Sequence, residues 1–144
     1  MPSSTKERMT TAPTPGPSFV RFDPPDISFW AFIGDVSEPE MRRLLQEQLA
    51  YLAGAQYTLM LVDMSRTGSV APGARKAGAE KPPVPVFGTA IFGASFPIRA
   101  IAILVTTAGT LFSKANDSPV RFFEKEDAAR AWLAERRAVA LSKM

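Results

Sequence analysis

Near the middle of the chain, Tyr57 to Val62 (YTLMLV) is an almost unbroken apolar run. A strand wetted on one face alternates apolar and polar side chains. A run without alternation is the signature of a central strand covered on both faces. The rest of the chain therefore has to supply neighbouring strands and helices that close over this one.

The flanking patterns fit that demand. Phe19 to Phe22 (FVRF) and Ile27 to Ile33 (ISFWAFI) read as two strands joined at Pro24-Pro25-Asp26, a turn short enough to make them antiparallel neighbours. Gly34-Asp35 is expected to end the second strand. Ser37 and Glu40 form a capping box that opens a helix with Met41, Leu44, Leu45, Leu49 and Leu52 on one side, closed by Gly54. After Asp63-Met64-Ser65 a polar loop is expected, then a short helix over Ala71–Glu80 with Pro72 near its start. Val84 to Phe92 is the next strand, weakened by Pro85 and Gly88. A strongly apolar helix runs from Pro97 to about Phe112, Val120 to Phe123 is a last short strand, and Glu124 to Leu141 is a closing helix. Ala128, Trp132 and Leu133 are expected to supply its buried stripe. The order ββαβαβαβα predicts an α/β sandwich with a mixed sheet of about five strands covered by about four helices.

Length and composition bound the function. The 144 residues suit one domain, expected over residues 19–144. Met1 to Ser18 holds four of the 13 prolines and almost nothing apolar, so it reads as a disordered tail. It lacks the continuous apolar stretch of a secretory signal, which points to a cytoplasmic protein. The chain has no Cys and no His. That removes disulfides, thiolate nucleophiles, histidine bases and the usual zinc ligands, so no catalytic residue, metal or cofactor is expected. The 17 Lys and Arg against 14 Asp and Glu leave a net charge of only +3, without the basic, aromatic-studded stripe that nucleic acid requires.

Several segments together resemble a known family: GDVSEPEMRRLL, LMLVDMSRTGSVAPGARK, GTAIFGASFPIRAIAILV and PVRFFEKEDAARAWLAERR. They look like the SpoIIAA-like proteins of the STAS group over about Phe19 to Arg137, with Phe123, Ala128 and its neighbours, Trp132 and Leu133 the most family-like piece. The resemblance implies a STAS-like sandwich, related to anti-anti-sigma factors and more distantly to CRAL-TRIO lipid-binding domains. It also implies a non-enzymatic regulatory or protein-interaction module; the alternative is a carrier or sensor of a small apolar, lipid-like ligand, or a domain that docks on membranes.

Two sets of residues are candidates for such work. Asp63, Ser65 and Ser95 fall at expected strand C-termini, the edge where open α/β sheets hold ligands. Asp63 and Ser65 also resemble the strand-end turn of the anti-anti-sigma proteins, but Pro72 and Gly73 stand where the phosphorylated Ser of those relatives is expected. Ser69 is the nearest hydroxyl to that place. The plainer reading is that Asp63 and Ser65 satisfy loop N–H groups and Ser69 caps the following helix. The second set is the outer side of the apolar helix, Arg99, Ile103, Leu104, Thr107 and Leu111. That helix has an apolar arc wider than one sheet face requires, and at roughly 24 Å it is short for a membrane span. It could be simple core, a homodimer or protein-partner surface, or a dock for a membrane or apolar ligand. Glu124, Glu126 and Asp127 are better explained as first-turn helix charges than as metal ligands. Asp23, Asp26 and Asp35 read as turn formers.

Overall fold

The computed structural model describes residues 17–111 and 118–144, with the side chains of 106–111 also outside the description. Five strands and four helices alternate in the expected order: β1 (Phe19–Asp23), β2 (Ile27–Val36), α1 (Glu38–Tyr51), β3 (Thr58–Val70), α2 (Pro72–Gly78), β4 (Val86–Phe92), α3 (Phe96–Leu111), β5 (Val120–Phe123) and α4 (Glu126–Ser142). They build one sheet in the order β1-β2-β3-β4-β5. β1 and β2 are antiparallel, and every later pair is parallel.

Strands laid down in sequence order explain the layering. Each parallel pair needs a helical crossover, and crossovers of one hand all land on the same face. One face accordingly packs Trp30, Val62 and Ile91 against Met41 and Leu44 of α1, Ala74 and Ala77 of α2, and Ala102 of α3. The opposite face packs Phe29, Leu61 and Ala90 against Ala129, Trp132 and Leu133 of α4. Leu59 and Leu61 are fully buried on one face and Val62 nearly so on the other, as the apolar run requires.

Five sequence expectations change. β2 does not stop at Gly34, and the expected polar loop after Ser65 is strand. The two strands continue side by side, pairing Ile33 with Arg66, Gly34 with Thr67 and Val36 with Val70. This extension reaches beyond β4, whose pairing with β3 ends at Asp63 and Phe92. Its polar residues are half-wetted for that reason, which made it read as a loop. Ser18 belongs to the folded domain: it is buried, and its hydroxyl accepts the Ile33 N–H at 2.9 Å. On α4 the buried alanine is Ala129, not the exposed Ala128, which places 129, 132, 133 and 140 on one helical stripe. Ser37 does cap α1, accepting the Glu40 N–H, whereas the α2 cap position is Ala71 and carries no side-chain bond.

Gly88 shows why a glycine sits inside β4. A Cβ there would lie 2.9 Å from Arg136 Cγ and 3.5 Å from the Trp132 ring. Its absence lets α4 lie close on the sheet, where Arg136 donates to the Phe87 carbonyl at 2.8 Å.

Candidate functional site

On the three-helix face, the sheet and helices line a half-open cavity of about 390 Å³. Its floor is β2 to β5, with Trp30, Phe32, Met60, Val62 and Ile91. Met41, Leu45 and Gln48 of α1 form one wall, and Ile98, Ile101, Ala102 and Val105 of α3 form the other. The space follows from α2. That helix has seven residues and turns only Ala74 and Ala77 into the core, so it cannot fill the gap between its larger neighbours. Its last residue, Gly78, lines the cavity, and Glu80, Lys81, Pro82 and Pro83 line the rim beyond it.

The lining is dominated by aliphatic, aromatic and thioether side chains, with a small polar set. Gln48 is buried, and its amide N–H points at Met60 Sδ at 3.1 Å. Thr89 is buried in the floor. Trp30 is 3% exposed and stacks obliquely on Phe32 with ring centroids 5.6 Å apart. Its indole N–H is buried and has no hydrogen-bond partner among the described residues. Arg75 and Lys81 line the exposed rim, where the Arg75 Nε–H is held by the Val70 carbonyl at 3.0 Å. A few polar groups on a mostly apolar concave wall are the makeup of a small-molecule site, and the volume lies at the low end of the roughly 300–1,000 Å³ usual for one.

The residues singled out by sequence fall elsewhere. Asp63 is the last β3 residue paired to β4, not a strand terminus, because β3 runs on to Val70. Its Oδ1 accepts both the Ser65 N–H at 2.9 Å and the Ser65 hydroxyl at 2.6 Å. Gly93 lies against Ser65 with φ +75°, and a Cβ there would come within 2.7 Å of Ser65 Cβ. Ser95 follows, exposed, its carbonyl accepting the Arg99 N–H that begins α3. Asp63, Ser65 and Ser95 thus gather at the end of β4, outside the cavity.

Ser69 is not with them and does not cap α2. It lies near the far end of β3, its N–H donated to Asp35 at 2.9 Å. That backbone bond and the Ser69 hydroxyl hold the Asp35 carboxyl below the usual carboxylate range. Asp35 is therefore a clamp between the two extended strands rather than only a turn former.

On α3, Ile103 and Leu104 are exposed, as is Phe96 at its start, while Ile98 and Ala102 point inward. Arg99 is half-buried and its guanidinium lies over the Phe122 ring at 5.3 Å. The side chains of Thr107 and Leu111 lie outside the described residues.

Sequence reasoning also missed a buried polar hub. Asp26, read as a turn former, is 5% exposed. It takes two bonds from Arg137 at 2.8 and 2.9 Å and one from the Tyr57 hydroxyl. Burial raises the Asp26 pKa, but the bonds from Arg137 and Tyr57 outweigh it and the net displacement is downward. Burial and the adjacent carboxylate push the Tyr57 hydroxyl up to about 12. The hub fastens α4 to the β1–β2 turn and is remote from the cavity lining.

Glu126 is used structurally, in an ion pair with Arg130 at 2.8 Å. Among the described residues no group of three acidic side chains converges as a cation site, and no helix is long and apolar enough to cross a membrane.

Comparison with known proteins agrees with the topology. The chain is similar to the crystal structure of an uncharacterized protein of the DUF3478 family, with a SpoIIAA-like fold, from Shewanella loihica PV-4. The two are 18% identical and superpose with a TM-score of 0.55, over 81% of this chain and 91% of that one. No curated protein matches the sequence. The SpoIIAA-like family model matches residues 29–134, from within β2 to the middle of α4, and so takes in helices on both sheet faces and the cavity under α1 to α3. With more than half its length matched, and with this sheet order, the chain belongs to the SpoIIAA-like family.

Proposed function

We propose that this STAS-type domain is a non-catalytic binding module whose ligand is a small apolar molecule held between the sheet and helices α1 to α3. The observation that carries the reading is the cavity itself, about 390 Å³ with a mostly apolar wall. A concave wall of this size, mostly apolar and open on one side, has the usual form of a small-molecule site. The hydroxyl and carboxylate groups at the end of β4 bond one another, which leaves little there for acid–base or nucleophilic work.

The test is binding of 1-aminoanthracene, an apolar fluorophore, to the full chain. Saturable emission enhancement in the wild type and its loss in Ala102→Phe, which fills the cavity from α3, support the reading. Enhancement that survives Ala102→Phe would contradict it.

The exposed Phe96, Ile103 and Leu104 support a second reading, in which the outer side of α3 meets a partner protein, a second copy of this chain being the simplest. Light scattering checks it: a dimer that Leu104→Asp dissociates supports the surface, and a monomer at high concentration removes it. A regulatory domain could use both features, with the ligand under α3 setting the partner surface on top of it.

A further inference from the structure

We propose that the ligand of this cavity carries a neutral hydroxyl, as an alcohol or phenol on an otherwise apolar frame, and that the Gln48 amide and the Thr89 hydroxyl hold it. The inference rests on the apolar-ligand reading above and adds the chemistry of the ligand.

Gln48 on α1 and Thr89 on β4 both line the cavity and are 5% and 8% exposed. Gln48 Nε2 donates to Met60 Sδ at 3.1 Å, the one side-chain bond the amide makes among the described residues. The amide oxygen and the Thr89 hydroxyl have no partner among those residues. Neither atom is shut off from solvent in the way that Trp30 Nε1 and Glu40 Oε2 are. With each side chain otherwise packed, the surface these two atoms keep opens on the cavity they line.

Strand register brings the two groups together. Met60, whose sulfur meets the Gln48 amide, is the in-register partner of Thr89 on the neighbouring parallel strand. Adjacent strands lie about 4.8 Å apart, so amide and hydroxyl flank a single thioether in the floor. Folding alone does not call for an amide at 48. A thioether is a weak acceptor, and a leucine would fill the same stretch of apolar wall. A few placed polar groups in such a wall are what orients a ligand.

The free atoms set the chemistry of that ligand. An amide oxygen needs a donor, whereas a threonine hydroxyl donates or accepts. A ligand hydroxyl does both, and it suits the Gln48 amide in either of its two orientations. A ketone or ether oxygen can only accept. A carboxylate or ammonium would lose its hydration beside two uncharged groups, because the charged lining residues Arg75, Glu80 and Lys81 lie at the exposed rim.

Three probes with a common methylphenyl frame test the proposal: p-cresol, p-xylene, in which a methyl replaces the hydroxyl, and 4-methylanisole, which keeps the oxygen but not its proton. Each is titrated into the full chain carrying ¹³C-methyl methionine. All three are expected to shift the methyl signals of Met41, Met60 and Met64, with p-cresol binding most tightly. In Gln48→Leu the advantage of p-cresol over p-xylene should fall about tenfold, equivalent to ~1.4 kcal/mol, and Thr89→Val should lower it in the same direction. If p-xylene or 4-methylanisole binds as tightly as p-cresol, or if the advantage is unchanged in either variant, the hydroxyl proposal is overturned and the cavity reading stands. Failure of all three probes to shift the methionines would overturn the two together. Should a variant not fold, the order of the three probes on the wild type decides.

Discussion

Arg137, in the last turns of α4, grips both carboxylate oxygens of Asp26 at 2.8 and 2.9 Å, across 111 residues of sequence. Asp26 is 5% exposed, so the pair is closer to a buried salt bridge than to a surface one. Removing one partner of such a pair strands the other charge. Arg137→Met is expected to destabilise the domain by about 2–3 kcal/mol in chemical denaturation. Arg42→Met removes exposed bonds to Glu38 and Glu80 and should leave the denaturation midpoint close to that of the wild type. Equal losses in the two variants would show that the Asp26 hub holds nothing in particular.

The same hub sets how stability depends on pH. Asp26 titrates below its ordinary value of 3.8 in the folded protein, so its contribution is present above that value and is lost as pH falls through the lower folded value. Tyr57 is displaced the other way, from 10.0 to about 12; its contribution is present below pH 10 and is lost as pH rises toward 12. Stability should fall at both ends of the range. Tyr57→Phe removes the alkaline dependence between those two values while costing about 1 kcal/mol at neutral pH. A pH–stability profile of the variant that keeps the alkaline fall would contradict the assignment.

Two glycines with the same backbone twist are expected to behave differently. Gly34 has φ +72° with open space where a Cβ would go, so Gly34→Ala meets only the left-handed strain of about 1 kcal/mol. Gly93 has φ +75° and would press a Cβ to within 2.7 Å of Ser65 Cβ and 3.0 Å of Ser65 Cα. Gly93→Ala should therefore cost clearly more, about 2–3 kcal/mol, because the obstacle includes backbone. Matching midpoints for the two variants in urea would show that β3 and β4 do not hold this spacing.

Filling the cavity should not harm the fold. Small-to-large changes in a well-packed core typically cost about 1–3 kcal/mol. Ala102→Phe projects into a space of about 390 Å³, and the added ring buries apolar surface there. Its melting temperature is expected to equal or exceed that of the wild type, and a drop of the size seen for overpacking would mean that the space is not available.

Much of the fold was legible because its signals are local. The YTLMLV run gave the central strand, Ser37 the start of α1, and the chain order then left few ways to stack strands and crossovers. What was not legible depends on partners distant in sequence. Arg66 to Val70 looks like loop because its strand pairing is to β2 alone, so its side chains are partly wetted. Asp26 looks like a turn residue until Arg137 is brought beside it. The cavity left no mark at any single position: Met41, Met60, Ile98 and Ala102 read as ordinary core, and the space among them arises from the shortness of α2. Trp30 likewise reads as an aromatic strand residue, and only the packed structure shows its N–H buried without a partner among the described residues.

The central claim, that the space between the sheet and α1 to α3 takes an apolar ligand, has internal reporters. Met41, Met60 and Met64 line it, whereas Met144 is an exposed terminus. In a ¹³C-methyl methionine spectrum titrated with α-methylstyrene, the account predicts saturable shifts of those three signals with Met144 unmoved. No shift, or shifts of Met144 as large as those of the other three, would contradict it.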